Sequence, residues 1–187
     1  MLIYEGILLL SLVEIKKSSA KWTLTGVFRD SLFKNFICEK MERIKVKIIN
    51  ESGHELPAYE TPSSAGMDVR AKLEAPVTLP PLGRALIPTG LRMQLPRGFE
   101  CQVRPRSGLA LKHGISLVNT PGTIDADYRG EIGILLINLS NEPYTVNDGE
   151  RIAQLVIKEY VHVTWEPVDR IDQTERGDGG FGHTGVN

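Results

Sequence analysis

The chain has 187 residues, 41% of them apolar, and a formal net charge of −1. This length allows one domain with a substantial core, and the near-zero charge excludes the basic surface of a typical nucleic-acid-binding domain. Only two cysteines occur, Cys38 and Cys101, and their spacing fits no metal site. We therefore expect a globular cytoplasmic protein that binds neither nucleic acid nor a membrane.

The first 40 residues differ from the rest of the chain. Their apolar run is interrupted by Glu5 and Glu14, is too short to span a bilayer, and lacks the preceding positive charge of a signal peptide. A regular strand pattern begins only at Met41, in MERIKVKII. We therefore expect residues 1–40 to be an N-terminal extension, upstream of a true start at Met41.

From Met41 onward the pattern is that of short strands. Runs rich in Val, Ile and Leu, several of them alternating with polar residues, are separated by Pro and Gly turns. One short helix is predicted, SGLALKHG, which begins at Ser107 and ends at Gly114. These features predict an all-β sandwich or jelly roll. The predicted strands are RIKVKII, RALIPTG, LRMQL, FECQVRP, EIGILLINL and RIAQLVIKEYVHV.

The C-terminal residues 172–187, DQTERGDGGFGHTGVN, contain five glycines and no core pattern. We expect them to form a flexible arm after a β domain of residues 41–171. Gly177, Gly179 and Gly182 match G-x-G-x-x-G, but too few residues follow for the helix that a dinucleotide-binding turn needs. The exposed N–H groups of such a run can surround an anion, and a disordered tail is the alternative.

The segment GTIDADYRGEI places Asp125 and Asp127 one residue apart. An EF-hand calcium loop is excluded, because its fifth and twelfth positions would be Arg129 and Leu136. A solvated hairpin turn and a catalytic base beside a binding surface both remain open.

Two further segments carry polar residues at the start of an element. In RPRSGLA, Arg106 and Ser107 precede the short helix, where free N–H groups favour an anion. The alternative is a simple N-cap with a surface arginine. In SSAGMDV, Asp68 follows a glycine turn and enters a strand.

Five segments, taken in chain order, carry a family resemblance: AGMD, RPRSGLA, NTPGTIDADYRGEI, GERIAQLVI and RGDGGFGHTG. Together they resemble the five motifs of the homotrimeric dUTPases, over roughly residues 41–187. The resemblance implies a β-rich jelly roll that forms a homotrimer with active sites at subunit boundaries. It also implies Mg²⁺-assisted hydrolysis of dUTP to dUMP and pyrophosphate, by water attack on the α-phosphate. That reaction limits uracil in DNA and supplies dUMP for thymidylate synthesis.

The resemblance assigns roles in the third motif. Asp125 matches the base that deprotonates the attacking water, and Tyr128 the ring that packs on the deoxyribose and excludes a 2′-hydroxyl. Asn119 and Thr123 match substrate-binding positions, with Asn119 at the uracil pocket. Asp127 is expected to support the hairpin.

The other motifs supply phosphate and metal contacts. Asp68 matches the acid that holds Mg²⁺ through water, with the metal bound mainly by substrate phosphates. Phe181 is expected to stack on uracil, and Arg176 and Thr184 to reach the γ-phosphate. The expected phosphate and arm contacts are Arg106, Ser107, Gly108, Gln154, Arg176, Phe181, Gly182, His183 and Thr184.

Three alternatives belong to other classes. A dCTP deaminase of the same fold would attack the base and release ammonia. A catalytically silent nucleotide-binding trimer would bind dUTP without releasing pyrophosphate. A capsid-like jelly roll would leave the phosphate-binding motifs unexplained.

Overall fold

A computed structural model describes residues 15–18, 21–24 and 43–180 of the chain. The chain divides into two compact units, Met1–Lys45 and Val46–Asn187. In the described part of the first unit, β1 (Ile15–Ser18) pairs antiparallel with β2 (Lys21–Leu24). The second unit carries all the motifs of interest.

The second unit consists of short antiparallel strands and one helix, α1 (Ser107–His113). Among the described residues, no helix is long and apolar enough to cross a membrane. The strands of the second unit are β3 (Lys47–Asn50), β4 (Met67–Arg70), β5 (Val77–Leu79), β6 (Arg84–Pro88), β7 (Leu91–Gln94), β8 (Phe99–Pro105), β9 (Ile115–Leu117), β10 (Gly122–Ile124), β11 (Gly133–Asn138), β12 (Tyr144–Val146) and β13 (Arg151–Glu159).

The strands form several small sheets, as in a jelly-roll sandwich. One sheet has the order β10-β8-β13-β4 and another the order β6-β11-β9, while β12 pairs with β5 and β3 with β7. The longest pairing joins β13 to β8, from Ala153 opposite Pro105 to Glu159 opposite Phe99. This pairing fixes the relative positions of the second and fourth motifs.

The core lies between the sheets. Strand β11 alternates buried and half-buried residues, as expected for a strand with one face on a core. Cys101 on β8 is fully buried, and burial is the main cause that raises the pKa of its thiol to about 12. The largest completely enclosed side chains include Leu79, Ile87, Ile115, Ile132, Ile134, Leu136, Ile152 and Leu155.

The helix has the predicted boundaries. It begins at Ser107, and Gly114 ends it with a left-handed backbone at φ 66°, a conformation that glycine adopts without strain. A Cβ at position 114 would also lie 2.9 Å from Ser140. Both requirements explain the glycine at this position.

The sequence predicted a hairpin in the third motif, and this prediction is wrong. Strand β10 pairs with β8, whereas β11 pairs with β6 and β9. The segment between them is therefore a connection from one sheet to another. Local turn residues could not reveal this, because the pairing partners are distant in sequence.

Candidate active site

One carboxylate is the centre of a polar cluster at the end of the four-stranded sheet. Asp68 on β4 accepts two hydrogen bonds from Arg106, Nε–Oδ1 and Nη2–Oδ2, both 3.0 Å long. Gln154 on β13 lies opposite Asp68 and donates from Nε2 to the same Oδ1 at 3.1 Å. The structure thus brings together predicted residues of the first, second and fourth motifs.

Arg151 is a further member that the sequence analysis missed. Its Nη1 lies 3.3 Å from Asp68 Oδ2, and its carbonyl accepts a 3.0 Å hydrogen bond from Arg106 Nη1. In a regular strand, Arg151 and Gln154 would face opposite sides. A register shift between Arg151 and Ala153 changes this, and such bulges re-aim side chains. We call Asp68, Arg106, Arg151 and Gln154 the Asp68 cluster.

The Asp68 carboxylate is nearly saturated with donors. A carboxylate offers about four acceptor positions. Arg106 and Gln154 use three of them, two on Oδ1 and one on Oδ2, and Arg151 Nη1 makes an ion-pair contact with Oδ2. Its side chain is only 9% exposed. Among the described residues, no three Asp, Glu, His or Cys side chains form a metal-binding group. The described carboxylates therefore do not form a Mg²⁺ site by themselves, and the expected contact of Asp68 to Mg²⁺ through water stays a prediction.

The start of α1 lies directly beside this cluster. Arg106 is its N-cap residue, and no side chain caps the helix. Ser107 and Gly108 are exposed, and the first N–H groups of a helix have no partner within it. The arrangement offers backbone donors next to the two guanidinium groups, which suits a phosphate.

Asp125 lies in a tight turn after β10. Tyr128 N donates to Asp125 O at 3.1 Å, and Arg129 Nη1 donates to the carbonyls of Ala126 and Tyr128 at 2.7 Å each. The Asp127 carboxylate has no hydrogen bond among the described residues, so the expected supporting role falls to Arg129. Asp125 and Asp127 both line an open cleft of about 740 Å³.

Tyr128 is held by a hydrogen bond and remains partly exposed. Its hydroxyl donates to Glu131 O at 3.0 Å, and the residue is 44% exposed. A Cβ at Gly130 would lie 2.2 Å from the Tyr128 hydroxyl oxygen and 2.5 Å from Cζ. The ring therefore packs over a position that only glycine can occupy without displacing it.

Asn119 and Thr123 lie on the approach to this turn, and both are exposed. Thr123 is opposite Gln102 on β8. Asn119 packs against Gly122, since a Cβ there would be 3.0 Å from Asn119 Nδ2. Both residues thus belong to the surface that carries Asp125 and Tyr128.

Asp125 and the Asp68 cluster are far apart within one chain. Ile124 lies opposite Cys101, whereas Gln154 lies opposite both Arg104 and Asp68. Asp125 is therefore displaced by about 13 Å along the strands and about 14 Å across them, or roughly 19 Å in total. A general base must lie within hydrogen-bond reach of its water. Asp125 and the Asp68 cluster of one chain therefore do not meet at one bound water.

The arm is described only to residue 180. Arg176 is exposed, and its Nε donates to Gly179 O at 2.8 Å. Gly177 has a left-handed backbone with φ 53°. The predicted contacts Phe181, Gly182, His183 and Thr184 lie outside the described residues.

The fold and the cluster define a class of protein: a jelly-roll domain with two arginines at one sheet edge, where a phosphate would fit, and a separate carboxylate-bearing turn. The dUTPase family model matches residues 42–185. Two relatives named deoxyuridine 5′-triphosphate nucleotidohydrolase are similar over most of the chain. The protein of Fusobacterium nucleatum subsp. nucleatum is 55% identical over 145 residues, covering 78% of this chain and 99% of the relative. That of Finegoldia magna is 56% identical over 142 residues, which cover 76% of this chain and 99% of the relative.

Solved structures give the same result for the fold. A Staphylococcus bacteriophage 80alpha dUTPase with dUPNHPP superimposes with a TM-score of 0.69 and 26% identity, covering 76% of this chain and 99% of that one. A dUTPase from phage phi11 of S. aureus, described with a structural Mg(II) ion, gives a TM-score of 0.63 at 22% identity, covering 70% and 100%. The chain belongs to the dUTPase family.

Proposed function

We propose that the protein hydrolyses dUTP to dUMP and pyrophosphate by water attack on the α-phosphate. The observation that carries the proposal is the match at 55% identity to 99% of a deoxyuridine 5′-triphosphate nucleotidohydrolase. The Asp68 cluster supports it, because two guanidinium groups and free helix N–H groups provide what a polyphosphate requires. The reaction limits uracil in DNA and supplies dUMP for thymidylate synthesis.

In this proposal Asp125 is the general base. Its carboxylate is exposed and lines the open cleft, so that it is accessible to a water and a substrate. Tyr128 packs on the deoxyribose, while Asn119 and Thr123 contact the nucleoside. Arg106, Ser107, Gly108 and Gln154 contact the phosphates, and Arg176, Phe181, Gly182, His183 and Thr184 act from the arm.

We further propose that the protein is a homotrimer whose sites combine residues of different subunits. The support is the separation of roughly 19 Å between Asp125 and the Asp68 cluster within one chain. A second subunit brings its own Asp68 cluster to the Asp125 turn. The arm of residues 172–187 then closes the site.

Magnesium in this proposal arrives on the substrate. Mg²⁺ keeps several waters and is commonly bound through substrate phosphates. The contacts of Asp68 support this placement, because Arg106 and Gln154 already use three of the roughly four acceptor positions of its carboxylate. Asp68 then holds the ion through a water rather than directly. When bound, the ion neutralises phosphate charge.

The domain boundaries and location complete the proposal. Residues 41–171 form the β domain, residues 1–40 an extension and residues 172–187 the arm. The family match begins at residue 42, which supports a boundary near Met41. We place the enzyme in the cytoplasm, with dUTP as its small-molecule partner.

The decisive test is pyrophosphate release from dUTP, dTTP, dCTP and UTP, with and without Mg²⁺. We expect rapid release from dUTP only. Asp125→Asn should lower kcat by about 10²–10⁴-fold, since this is the usual contribution of a general base. The neighbouring Asp127→Asn is the matched control and should retain most activity. Undiminished turnover by Asp125→Asn would refute the assigned base.

Two further measurements on the same nucleotides, ammonia release and binding, would reveal the alternatives. Ammonia release from dCTP would identify a deaminase. Tight dUTP binding with no pyrophosphate release would identify a silent binding protein.

A further inference from the structure

We propose that Arg151 is an additional phosphate-binding residue, which Glu60 holds as a counter-ion until the triphosphate arrives. Arg151 Nη1 lies 3.0 Å from Glu60 Oε1 and 3.3 Å from Asp68 Oδ2. The inference rests on the proposed function, because it names a further residue of the same site.

The number of free donors distinguishes the two arginines of the Asp68 cluster. An arginine has five N–H groups. Arg106 uses Nε and Nη2 on Asp68 and Nη1 on the carbonyl of Arg151, so that only one N–H on each terminal nitrogen is left for a ligand. Arg151 engages only Nη1 among the described residues. Its Nε and Nη2 are therefore available for the two-pronged contact that phosphate favours.

The exposure of the groups makes the exchange feasible. The Asp68 side chain is 9% exposed, whereas those of Arg151 and Glu60 are 41% and 69% exposed. Exposed ion pairs contribute little to stability. Arg151 can therefore leave Glu60 for a phosphate at small cost, while the better buried Arg106–Asp68 pair stays in place.

The local charge balance favours the same exchange. In the free protein the two guanidinium groups of Arg106 and Arg151 are balanced by the carboxylates of Asp68 and Glu60. Glu60 is the exposed member, in the segment between β3 and β4. Once Arg151 turns from Glu60 to the ligand, the cluster presents a net positive charge to a triphosphate.

The test measures binding of dUMP, dUDP and the non-hydrolysable analogue dUPNHPP to the full-length protein. We expect Arg151→Gln to weaken analogue binding by about tenfold or more, and dUMP binding much less, because the lost contact is to the outer phosphates. Arg151→Lys should lose part of this affinity, since lysine keeps the charge but not the fork. Glu60→Gln should bind the analogue more tightly, because the competing carboxylate is gone.

Arg92→Gln is the matched control. Arg92 is 42% exposed and lies 3.7 Å from a single carboxylate, Glu51, so this variant removes the same charge from a similar pair. We expect its affinity to equal that of the wild type. Thermal unfolding of each variant identifies any loss that arises from misfolding.

Three results would overturn the inference. They are unchanged analogue affinity in Arg151→Gln, equal weakening for dUMP and the analogue, and weaker rather than tighter binding by Glu60→Gln. Each would show that the Arg151–Glu60 pair is only structural. Failure of the wild type to release pyrophosphate from dUTP would instead refute the proposed function, so the two failures are distinguishable.

Discussion

At the scale of single residues, Tyr128 and Gly130 depend on each other. The ring covers the glycine so closely that any Cβ at position 130 would overlap the hydroxyl end of the tyrosine. Gly130 does not have a positive φ, so its absence of a side chain, and not its backbone, is what the site requires. The glycine thus sets where the ring lies.

Gly130→Ala should displace the Tyr128 ring and weaken discrimination against a ribose. We expect the ratio of kcat/KM for dUTP over UTP to fall by about tenfold or more, because a 2′-hydroxyl would no longer meet the ring. The free energy of unfolding should change little, since the ring is 44% exposed. Tyr128→Phe, which keeps the ring, should preserve the ratio. Unchanged discrimination in Gly130→Ala would exclude the ring as the gate.

The sequence indicated three of the four residues of the Asp68 cluster but not how they contact one another. Asp68, Arg106 and Gln154 were assigned through family motifs, and the structure places both Arg106 and Gln154 in direct contact with Asp68. The ion-pair contact that Asp68 makes with Arg151 could not be predicted from the motifs. That residue reaches the carboxylate only through a local register shift, which the alternation of the strand conceals.

At the scale of elements, the turn between β12 and β13 is tied to two distant segments. Asp148 Oδ1 accepts a 2.8 Å hydrogen bond from Leu73 N and lies 3.1 Å from His54 Nε2. The Leu73 amide, followed by the His54 ring, holds the pKa of Asp148 below its ordinary value. The turn precedes Arg151, so these contacts help to fix the start of β13.

This lowered pKa gives a pH dependence with a definite sign. A carboxyl group with a depressed pKa in the folded state stabilises the fold above its unfolded pKa, about pH 4, and loses this contribution as pH falls further. Asp148→Asn should therefore melt below the wild type at pH 7, and the two melting temperatures should converge below about pH 4. Thermal unfolding from pH 3 to 7 measures this. A constant difference at every pH would show that the carboxylate charge has no role.

The strand pattern predicted the longer elements well. FECQVRP coincides with β8, and the strands predicted in RALIPTG, LRMQL, EIGILLINL and RIAQLVIKEYVHV are present with shorter ends. The three-residue strands β5, β9, β10 and β12 were not predicted, because three residues are too few to show an alternation of apolar and polar side chains. In RIKVKII only residues from Lys47 are in a strand. The sequence does not show which strands pair with one another. For this reason the hairpin predicted in the third motif was wrong.

At the scale of the whole molecule, the division of the site predicts complementation. Asp125→Asn and Arg106→Ala subunits should each be inactive alone, but mixed trimers should recover activity. In them, the Asp125 turn of one subunit can meet the intact Asp68 cluster of another. The measurement is pyrophosphate release after the two variants are unfolded together and refolded.

The controls concern assembly. Each variant refolded by itself should remain inactive, and the size of the assembly should equal that of the wild type. Mixed trimers that are no more active than either parent would refute the shared site.

The enclosed sulfur of Cys101 has a chemical consequence. The thiolate is the form that attacks electrophiles and oxidants, and at neutral pH a thiol with a pKa of about 12 is almost wholly protonated. Buried in strand β8, it is also shielded from reagents. The central strand between the two parts of the site is thus protected from alkylation and peroxide for as long as the sandwich stays closed.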